Sequence, residues 1–233
     1  MSEEYPQWGC PTMHMVASRE RLVINKKRSE RVYYRVEKLS IRRKKRRRKA
    51  QNTRGEQPKV TYKNERWAMD FVHDSLWGDR KFRILTVIDT YTREAIAIKV
   101  DTSINGIKVS EVLDGLLMSR GIPKMITVDN GPEFAGKALD KWAYENGVKL
   151  DFIRPGKPVD NCFIESFNGT LRKNCLNIHY FTNINEAKSI IEEWRKEYNE
   201  FKPHSSLCGL TPAEFAGQEN RCSTDNLNYA LVQ

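Results

Sequence analysis

The pattern of hydrophobic and polar positions after residue 65 predicts an α/β domain. Apolar residues alternate with other residues in three consecutive strand-like runs, at 67–73, 82–89 and 94–100. Later segments carry their apolar residues at helical or strand spacing in turn. They predict helices over 107–119, 136–146, 160–176 and 185–200, and strands over 125–129 and 148–153. Three strands followed by alternating helices and strands indicate a mixed sheet flanked by helices.

The chain before residue 65 has a different pattern, which predicts a small basic helical region. Apolar positions at helical spacing predict two short helices, over 12–21 and 27–39. The second helix is basic, as in a helix-turn-helix, although a plain helical hairpin with a charged face would give the same pattern. The predicted domains are a partial helical DNA-binding region at 1–41, a basic arm and linker at 42–64, a core at 65–216 and a tail at 217–233.

Charge is distributed unevenly along the chain. Residues 1–66 hold 20 Lys and Arg against 7 Asp and Glu, whereas the whole chain has a formal charge of +10. The basic excess is strongest in one uninterrupted run, formed by Arg42, Arg43, Lys44, Lys45, Arg46, Arg47, Arg48 and Lys49. We expect this run to contact DNA phosphates, which adds affinity without sequence information. A solubilising tail and a nuclear-localisation signal are the competing interpretations.

Cysteine spacing and hydropathy limit the compartment in which the protein works. Five cysteines are scattered without paired spacing, which favours a reducing environment inside the cell. No apolar run approaches the roughly 20 residues that a membrane span needs. The sequence therefore predicts a protein without a membrane partner.

Three carboxylates stand in contexts that favour divalent metals. Asp70 interrupts an apolar strand, and Asp129 ends another strand just before a turn. Glu165 lies on a predicted helix, with 35 residues between it and Asp129. Buried carboxylates are costly unless they are paired or hold a cation, and hard cations prefer oxygen ligands. The alternatives are an edge strand that leaves Asp70 in water and a turn-capping role for Asp129. Two other carboxylates near strand ends, Asp89 and Glu133, rank lower.

The helix predicted over 160–176 has a polar face and an apolar face. Its polar face is formed by Asn161, Glu165, Asn168 and Arg172, and its apolar face by Phe163, Phe167 and Leu171. The apolar face is expected to pack on the sheet, leaving Glu165 directed towards the strand carboxylates. Asp160 follows Pro158 and is expected to cap the helix.

Three sequence blocks together resemble a known catalytic core. They are Trp67-Ala68-Met69-Asp70-Phe71, Val128-Asp129-Asn130-Gly131-Pro132-Glu133-Phe134 and Ile164-Glu165-Ser166-Phe167-Asn168-Gly169. The tail adds Tyr198-Asn199, Pro203-His204-Ser205-Ser206-Leu207 and Leu210-Thr211-Pro212-Ala213-Glu214-Phe215. Over residues 60–216 the chain resembles the open-reading-frame-B transposases of the IS three family of bacterial insertion sequences, which have an integrase-like D-D-E core.

The resemblance implies a ribonuclease-H-like fold with a five-stranded mixed sheet. It also implies a D-D-E polynucleotidyl transferase that cleaves the ends of an insertion sequence and transfers them to another DNA strand. Asp70, Asp129 and Glu165 would be both catalytic and metal-binding, with Asp70 bridging two Mg²⁺ ions about 4 Å apart and Mn²⁺ as a substitute.

The same resemblance implies the partners and the location of the protein. The partners would be DNA, further copies of the chain and a frameshift-fused upstream partner, in the bacterial cytoplasm at the nucleoid. Lys157, Asn161 and Arg172 are candidate DNA contacts, while a surface lysine and a helix-face salt bridge are equally good descriptions of Lys157 and Arg172. A catalytically dead DNA-binding remnant and a repair or recombination nuclease of the same fold remain alternative functions.

Overall fold

The structure is a computed structural model that describes residues 1–23, 25–39, 60–153 and 161–218. The described residues form two compact units. One unit lies within Met1–Arg54 and Glu200–Gln233, and the other within Gly55–Asn199. The basic run at 42–49, Lys157 and Asp160 lie outside the described residues, so the structure does not test what was predicted for them.

The first unit combines the two predicted front helices with the end of the chain. Helix α1 spans Cys10–Arg19, and α2 spans Lys26–Arg31 and continues as a π-helical turn over Val32–Val36. Near the other end of the chain, a short helix over Pro212–Gly217 has a complete capping box between Thr211 and Glu214.

Contacts inside this unit join its two segments, which are far apart in sequence. Glu214 forms an ion pair with Arg19 of α1. Trp8 is buried and stacks on Tyr5 with ring centroids 4.0 Å apart, and its ring lies 5.9 Å from that of Phe201. Through these pairs the segment from Glu200 groups with the front of the chain.

The second unit is built on one five-stranded sheet. Its strands are β1 (Arg66–Ser75), β2 (Lys81–Asp89), β3 (Ala95–Asp101), β4 (Met125–Val128) and β5 (Lys149–Phe152). Their order is β3-β2-β1-β4-β5, with the first three strands antiparallel and β4 parallel to both β1 and β5. The mixed five-stranded sheet confirms the predicted fold class. Because β1 is the central strand, the edge-strand alternative for Asp70 is wrong.

Helices cover both faces of this sheet. They are α3 (Gly106–Arg120), α4 (Lys137–Asn146), α5 (Cys162–Leu171) and α6 (Ile184–Glu200). The short helix over Pro212–Gly217 in the first unit is called α7. Helix α3 ends at Gly121, whose φ of 87° is favourable for glycine. Helix α5 continues as a π-helical turn over Arg172–Leu176. Its N-cap residue is Asn161, whose side chain makes no capping hydrogen bond.

Alternation along β1 divides the core into two layers. Ala68 and Val72 pack with α5 and α6, whereas Trp67 and Met69 pack with residues of α3 and α4 on the opposite face. Asp70 lies between Ala68 and Val72 on the α5 side of the sheet, as the alternation predicts. The strand therefore delivers a carboxylate beneath the helix that carries Glu165.

Within the ranges that the structure describes, no helix is both long enough and apolar enough to cross a bilayer.

Candidate active site

Asp70 sits at the middle of the central strand, and both of its carboxylate oxygens are held. One oxygen accepts the backbone N–H of Phe71 at 2.8 Å, and the other accepts the side-chain amide N–H of Asn168 at 2.8 Å. Burial, aided by the negative charges of Asp129 and Glu165, raises the pKa of Asp70 to about 6 against the effect of these hydrogen bonds. The carboxylate therefore has a fixed orientation and an environment that disfavours its ionised form.

Asp129 follows directly after β4, where the strand ends and the chain turns. Its Oδ1 accepts the backbone N–H of Gly131 at 2.9 Å. One of the two carboxylate oxygens therefore has the turn-capping role that the sequence offered as an alternative. Asn130 donates from its side-chain amide to the carbonyl of Ile153 at 2.8 Å, which ties the turn to the end of β5. A Cβ atom at Gly131 would lie 2.9 Å from Asp129 Oδ1, so a side chain there would displace the Asp129 carboxylate.

Glu165 projects from the first turn of α5 into solvent. The opposite side of the helix is anchored because Ile164, Phe167 and Leu171 are almost fully buried against the sheet. The apolar face therefore packs as predicted and fixes the direction of Glu165. Its charge is one of the causes that raise the pKa of Asp70, which places the two carboxylates in the same neighbourhood.

Asn168 joins the helix to the two central strands. Its side-chain amide donates to Asp70, and its Oδ1 accepts the hydroxyl of Thr86 at 2.9 Å. The Thr86 hydroxyl is also within 3.1 Å of the Asp70 carbonyl, and Thr86 is fully buried on β2 directly opposite Asp70. The sequence pattern predicts that Asn168 lies on the same helical face as Glu165 but assigns it no function. Nothing in the sequence indicates that Thr86 lies beside Asp70. The register of β1 with β2, which the sequence does not specify, supplies that partner.

The two lower-ranked carboxylates have structural partners. Asp89 is fully buried and accepts backbone N–H groups from Asn64, Tyr91 and Thr92 at 2.8–3.1 Å. Glu133 forms an ion pair with Arg83, and this hydrogen bond lowers the pKa of Glu133. Both carboxylates therefore have structural roles in the described part of the chain, Asp89 in a loop and Glu133 in an ion pair.

The donor set suits a hard divalent cation, although its members are not yet gathered around one point. Oxygen ligands are the kind that Mg²⁺ and Mn²⁺ prefer, and the mutual repulsion recorded at Asp70 is what a cation would relieve. Across the described residues, however, no group of three or more His, Cys, Asp or Glu side chains is arranged to hold an ion. Glu165 is exposed, so its side chain is the one that would have to move inwards.

The candidate DNA contacts near the site differ in their availability. Arg172 forms an ion pair with Asp74 at 3.2 Å and donates to the carbonyl of His73 at 2.5 Å, as the salt-bridge alternative predicted. Asn161 was predicted to contact DNA, and in the described structure only 4% of it is exposed.

The basic residues of the front unit are accessible. Asn25 caps α2 by accepting the N–H of Lys27 at 2.9 Å. Lys26, Lys27, Arg28 and Arg31 are all exposed on the helix that follows. This exposure fits either the helix-turn-helix or the plain helical-hairpin interpretation.

Comparisons with known proteins agree with this geometry. Residues 61–158 and residues 146–212 match families that are both described as "Integrase core domain". An uncharacterized 31.7 kDa protein of insertion element IS407 from Burkholderia multivorans is 42% identical over 225 residues, which cover 97% of this chain and 80% of the relative. A protein named as the transposase InsK of insertion sequence element IS150 from Escherichia coli is 29% identical over 162 residues, covering 69% of this chain and 57% of the relative.

The fold also resembles a solved structure. The catalytic core domain of the integrase of HTLV-2, in complex with magnesium, aligns with a TM-score of 0.52. The alignment covers 69% of this chain and all of the core domain, at 16% identity. At that identity the likeness concerns the fold alone, and it supports the predicted ribonuclease-H-like architecture.

Proposed function

The chain belongs to the insertion-sequence transposases with an integrase core, and we propose that it cleaves and joins DNA strands with Asp70, Asp129 and Glu165. The family makes the chain a polynucleotidyl transferase. The observation that carries the residue assignment is the environment of Asp70. It is a carboxylate on the central strand, held by the helix of Glu165 and repelled by two further carboxylates. Structural roles alone do not account for such an arrangement on a central strand.

Two Mg²⁺ ions, or Mn²⁺ in their place, are the cofactor that this donor set would hold. Asp70 would be shared between the ions, with Asp129 and Glu165 each completing one site. When bound, such ions lower the pKa of the attacking water or 3′-hydroxyl and stabilise negative charge on the departing oxygen. A magnesium-bound integrase core of the same fold supports this choice of ion.

The chain's own residues would orient the reaction. Asn168 and the Phe71 N–H hold the Asp70 carboxylate in one direction, and the Gly131 N–H does the same for one oxygen of Asp129. Since these donors are fixed before DNA binds, little reorganisation is needed when the phosphate arrives. Arg172, braced between Asp74 and the His73 carbonyl, would keep the end of α5 against β1.

DNA would be both the substrate and the main partner. We propose the same domain roles as the sequence does, with 1–41 as a DNA-binding region, 42–64 as an arm and the core carrying the chemistry. Assembly of several copies on DNA would allow two element ends to be cut together. A frameshift-fused upstream partner would supply further DNA-reading helices in that assembly.

The direct test is a strand-cleavage assay. Purified protein is incubated with Mg²⁺ and a labelled element end taken from the DNA that flanks its gene. We expect a nick at the element end and joined products with a second duplex. Binding without cleavage under every metal tested would favour a catalytically dead DNA-binding remnant instead.

Metal choice gives a second expected result. Activity should appear with Mg²⁺ or Mn²⁺ and fail with Ca²⁺, which binds oxygen ligands but accepts looser geometry and more of them. The measurement is the rate of cleavage with each ion after the protein has been stripped by a chelator. Cleavage that persists in excess chelator would contradict a metal-dependent mechanism.

The basic arm should act as a phosphate clamp that ignores sequence. If all eight side chains at 42–49 met phosphates, their removal would lower the slope of log affinity against log salt by about 7, at roughly 0.9 per contact; about half that is expected because some will not reach. The measurement is a salt titration of DNA binding for the intact protein and for one with 42–49 changed to Ser and Gln. An unchanged slope would mean that the run is only a solubilising segment.

A further inference from the structure

An exposed aromatic pair lies at the end of the β1–β2 hairpin. Trp77 is 72% exposed and Tyr180 is 83% exposed, with their ring centroids 6.1 Å apart and the planes nearly perpendicular. Tryptophan is usually well buried because of its large apolar surface. The other four tryptophans of the chain are between 0% and 6% exposed, so Trp77 differs from all of them.

Backbone hydrogen bonds hold the segment that carries Trp77. The backbone N–H of Trp77 donates to the carbonyl of Phe181 at 2.7 Å, and Phe181 is buried with its ring against that of Phe82. The hairpin is closed by a hydrogen bond from the Leu76 N–H to the Arg80 carbonyl at 2.8 Å. The backbone that carries the exposed rings is therefore held by the fold.

The aromatic pair continues a line that begins at the candidate active site. Along β1 and the segment after α5, Asp70 contacts Asn168, Asp74 contacts Arg172, and Trp77 contacts Tyr180. Trp77 is seven positions after Asp70 and lies just beyond the end of β1 at Ser75, so the two residues are at most about 23 Å apart at roughly 3.3 Å per residue. A DNA strand that passes over the carboxylates and follows this line would reach the two rings.

The charges around the pair favour a nucleic acid over an apolar protein surface. The segment 172–181 contains no acidic residue, and its Lys173 is exposed, whereas Arg172 is paired with Asp74. On the hairpin, Arg80 and Lys81 are exposed beside Asp79. Cationic side chains around exposed aromatic rings are the combination by which proteins bind single strands, since bases stack on the rings while phosphates meet the charges.

We propose that Trp77 and Tyr180 form a stacking platform for an unpaired base of the DNA strand that leaves the active site. The proposal rests on the proposed function for its choice of DNA. It concerns a separate surface, just beyond the end of β1 and at most about 23 Å from Asp70. Because the two rings are nearly perpendicular, one base would stack on the Trp77 face and meet the edge of Tyr180.

Tryptophan fluorescence offers a direct test, because Trp77 is the accessible indole among the five. The full chain with Glu165→Gln is titrated with a 12-nucleotide single strand in the presence of a chelator, and collisional quenching by acrylamide is followed. We expect the bound single strand to quench part of the Trp77 emission and to protect the remaining Trp77 emission from acrylamide. A duplex of the same length should do so much less. Trp77→Phe in the same background should lack this response.

Binding of the single strand gives an independent measurement. Trp77→Ala should weaken binding by about tenfold at fixed salt, within the range for one lost base stack. Tyr144→Ala is the matched control, since Tyr144 is 89% exposed on α4, whose buried side chains belong to the core layer on the other face of the sheet. Emission that is unaffected by a saturating single strand, or equal effects of the two alanine variants, would overturn the proposal. Loss of self-association in Trp77→Ala with unchanged DNA binding would assign the surface to a second copy and overturn it as well.

The outcome is separable from that of the proposed function. If the wild-type protein cleaves and joins DNA but its Trp77 emission does not respond to the single strand, the proposed function stands and the stacking platform is refuted. A response at Trp77 in a protein that never cleaves DNA would support the platform and count against the catalytic assignment.

Discussion

Replacing Glu165 by Gln is expected to reduce strand cleavage and joining by at least about a hundredfold while leaving the fold and DNA binding intact. The side chain is exposed on α5 and makes no hydrogen bond or ion pair that the described structure records, so its exchange removes a charge and little packing. In the proposed two-ion site, loss of one metal-binding carboxylate would disturb both ion positions. Asp70→Asn and Asp129→Asn are expected to have effects of the same size.

The measurement compares rates of nicking and joining with the affinity for the same labelled element end. Glu193→Gln is a suitable control, since Glu193 is an exposed helical glutamate of α6 and is not part of the site. DNA affinity of the Glu165 variant should be unchanged or slightly higher, because a negative charge near the phosphate is removed. A Glu165→Gln protein that joins strands at nearly the wild-type rate would refute its role and direct attention to Asp160.

The fold could be predicted from the sequence to the extent that local patterning determines it. Each predicted strand and helix of the core is present, because the alternation of β1 and the apolar stripes of the helices have only one way to bury their apolar faces. The domain boundary could not be predicted in the same way. It depends on long-range contacts such as Arg19 with Glu214, and sequence periodicity carries no information about which distant segments meet.

The site shows the same division between local and long-range information. The sequence identified Asp70 because a charge on an apolar strand is costly, and that signal is local. The position of Thr86 opposite Asp70 and the burial of Asn161 depend on strand register and on packing around α5. Arg172 illustrates the limit: its helical face was predicted correctly, but its partner Asp74 belongs to another element.

Asp70→Asn is expected to stabilise the metal-free protein near neutral pH, by about 1–2 kcal/mol, although it abolishes activity. The pKa of Asp70 is raised from 3.8 to about 6 in the folded protein, so its ionisation disfavours the folded state. A shift of that size corresponds to at most about 3 kcal/mol. Partial exposure and the altered hydrogen bond to Asn168 reduce the expected gain.

The sign of this effect fixes its dependence on pH. A carboxyl whose pKa is raised by folding contributes stability that is complete below about pH 4 and is lost as the pH rises through 6. Asparagine does not titrate, so the advantage of Asp70→Asn should grow between pH 4 and 6 and remain constant above about 7. Thermal unfolding of both proteins in a chelator over this range measures the difference, with Asp79→Asn as a control because Asp79 is exposed and its positive φ suits asparagine.

Added Mg²⁺ should reverse the order of stability. The wild-type protein should gain thermal stability as its carboxylates bind the ion, whereas Asp70→Asn should gain little, because a ligand that binds only the folded state stabilises that state. An Asp70→Asn protein that is less stable than wild type in chelator at pH 7.5 would contradict the expectation. It would mean that the hydrogen bonds from Phe71 and Asn168 to the ionised carboxylate outweigh its burial and its repulsion by Asp129 and Glu165.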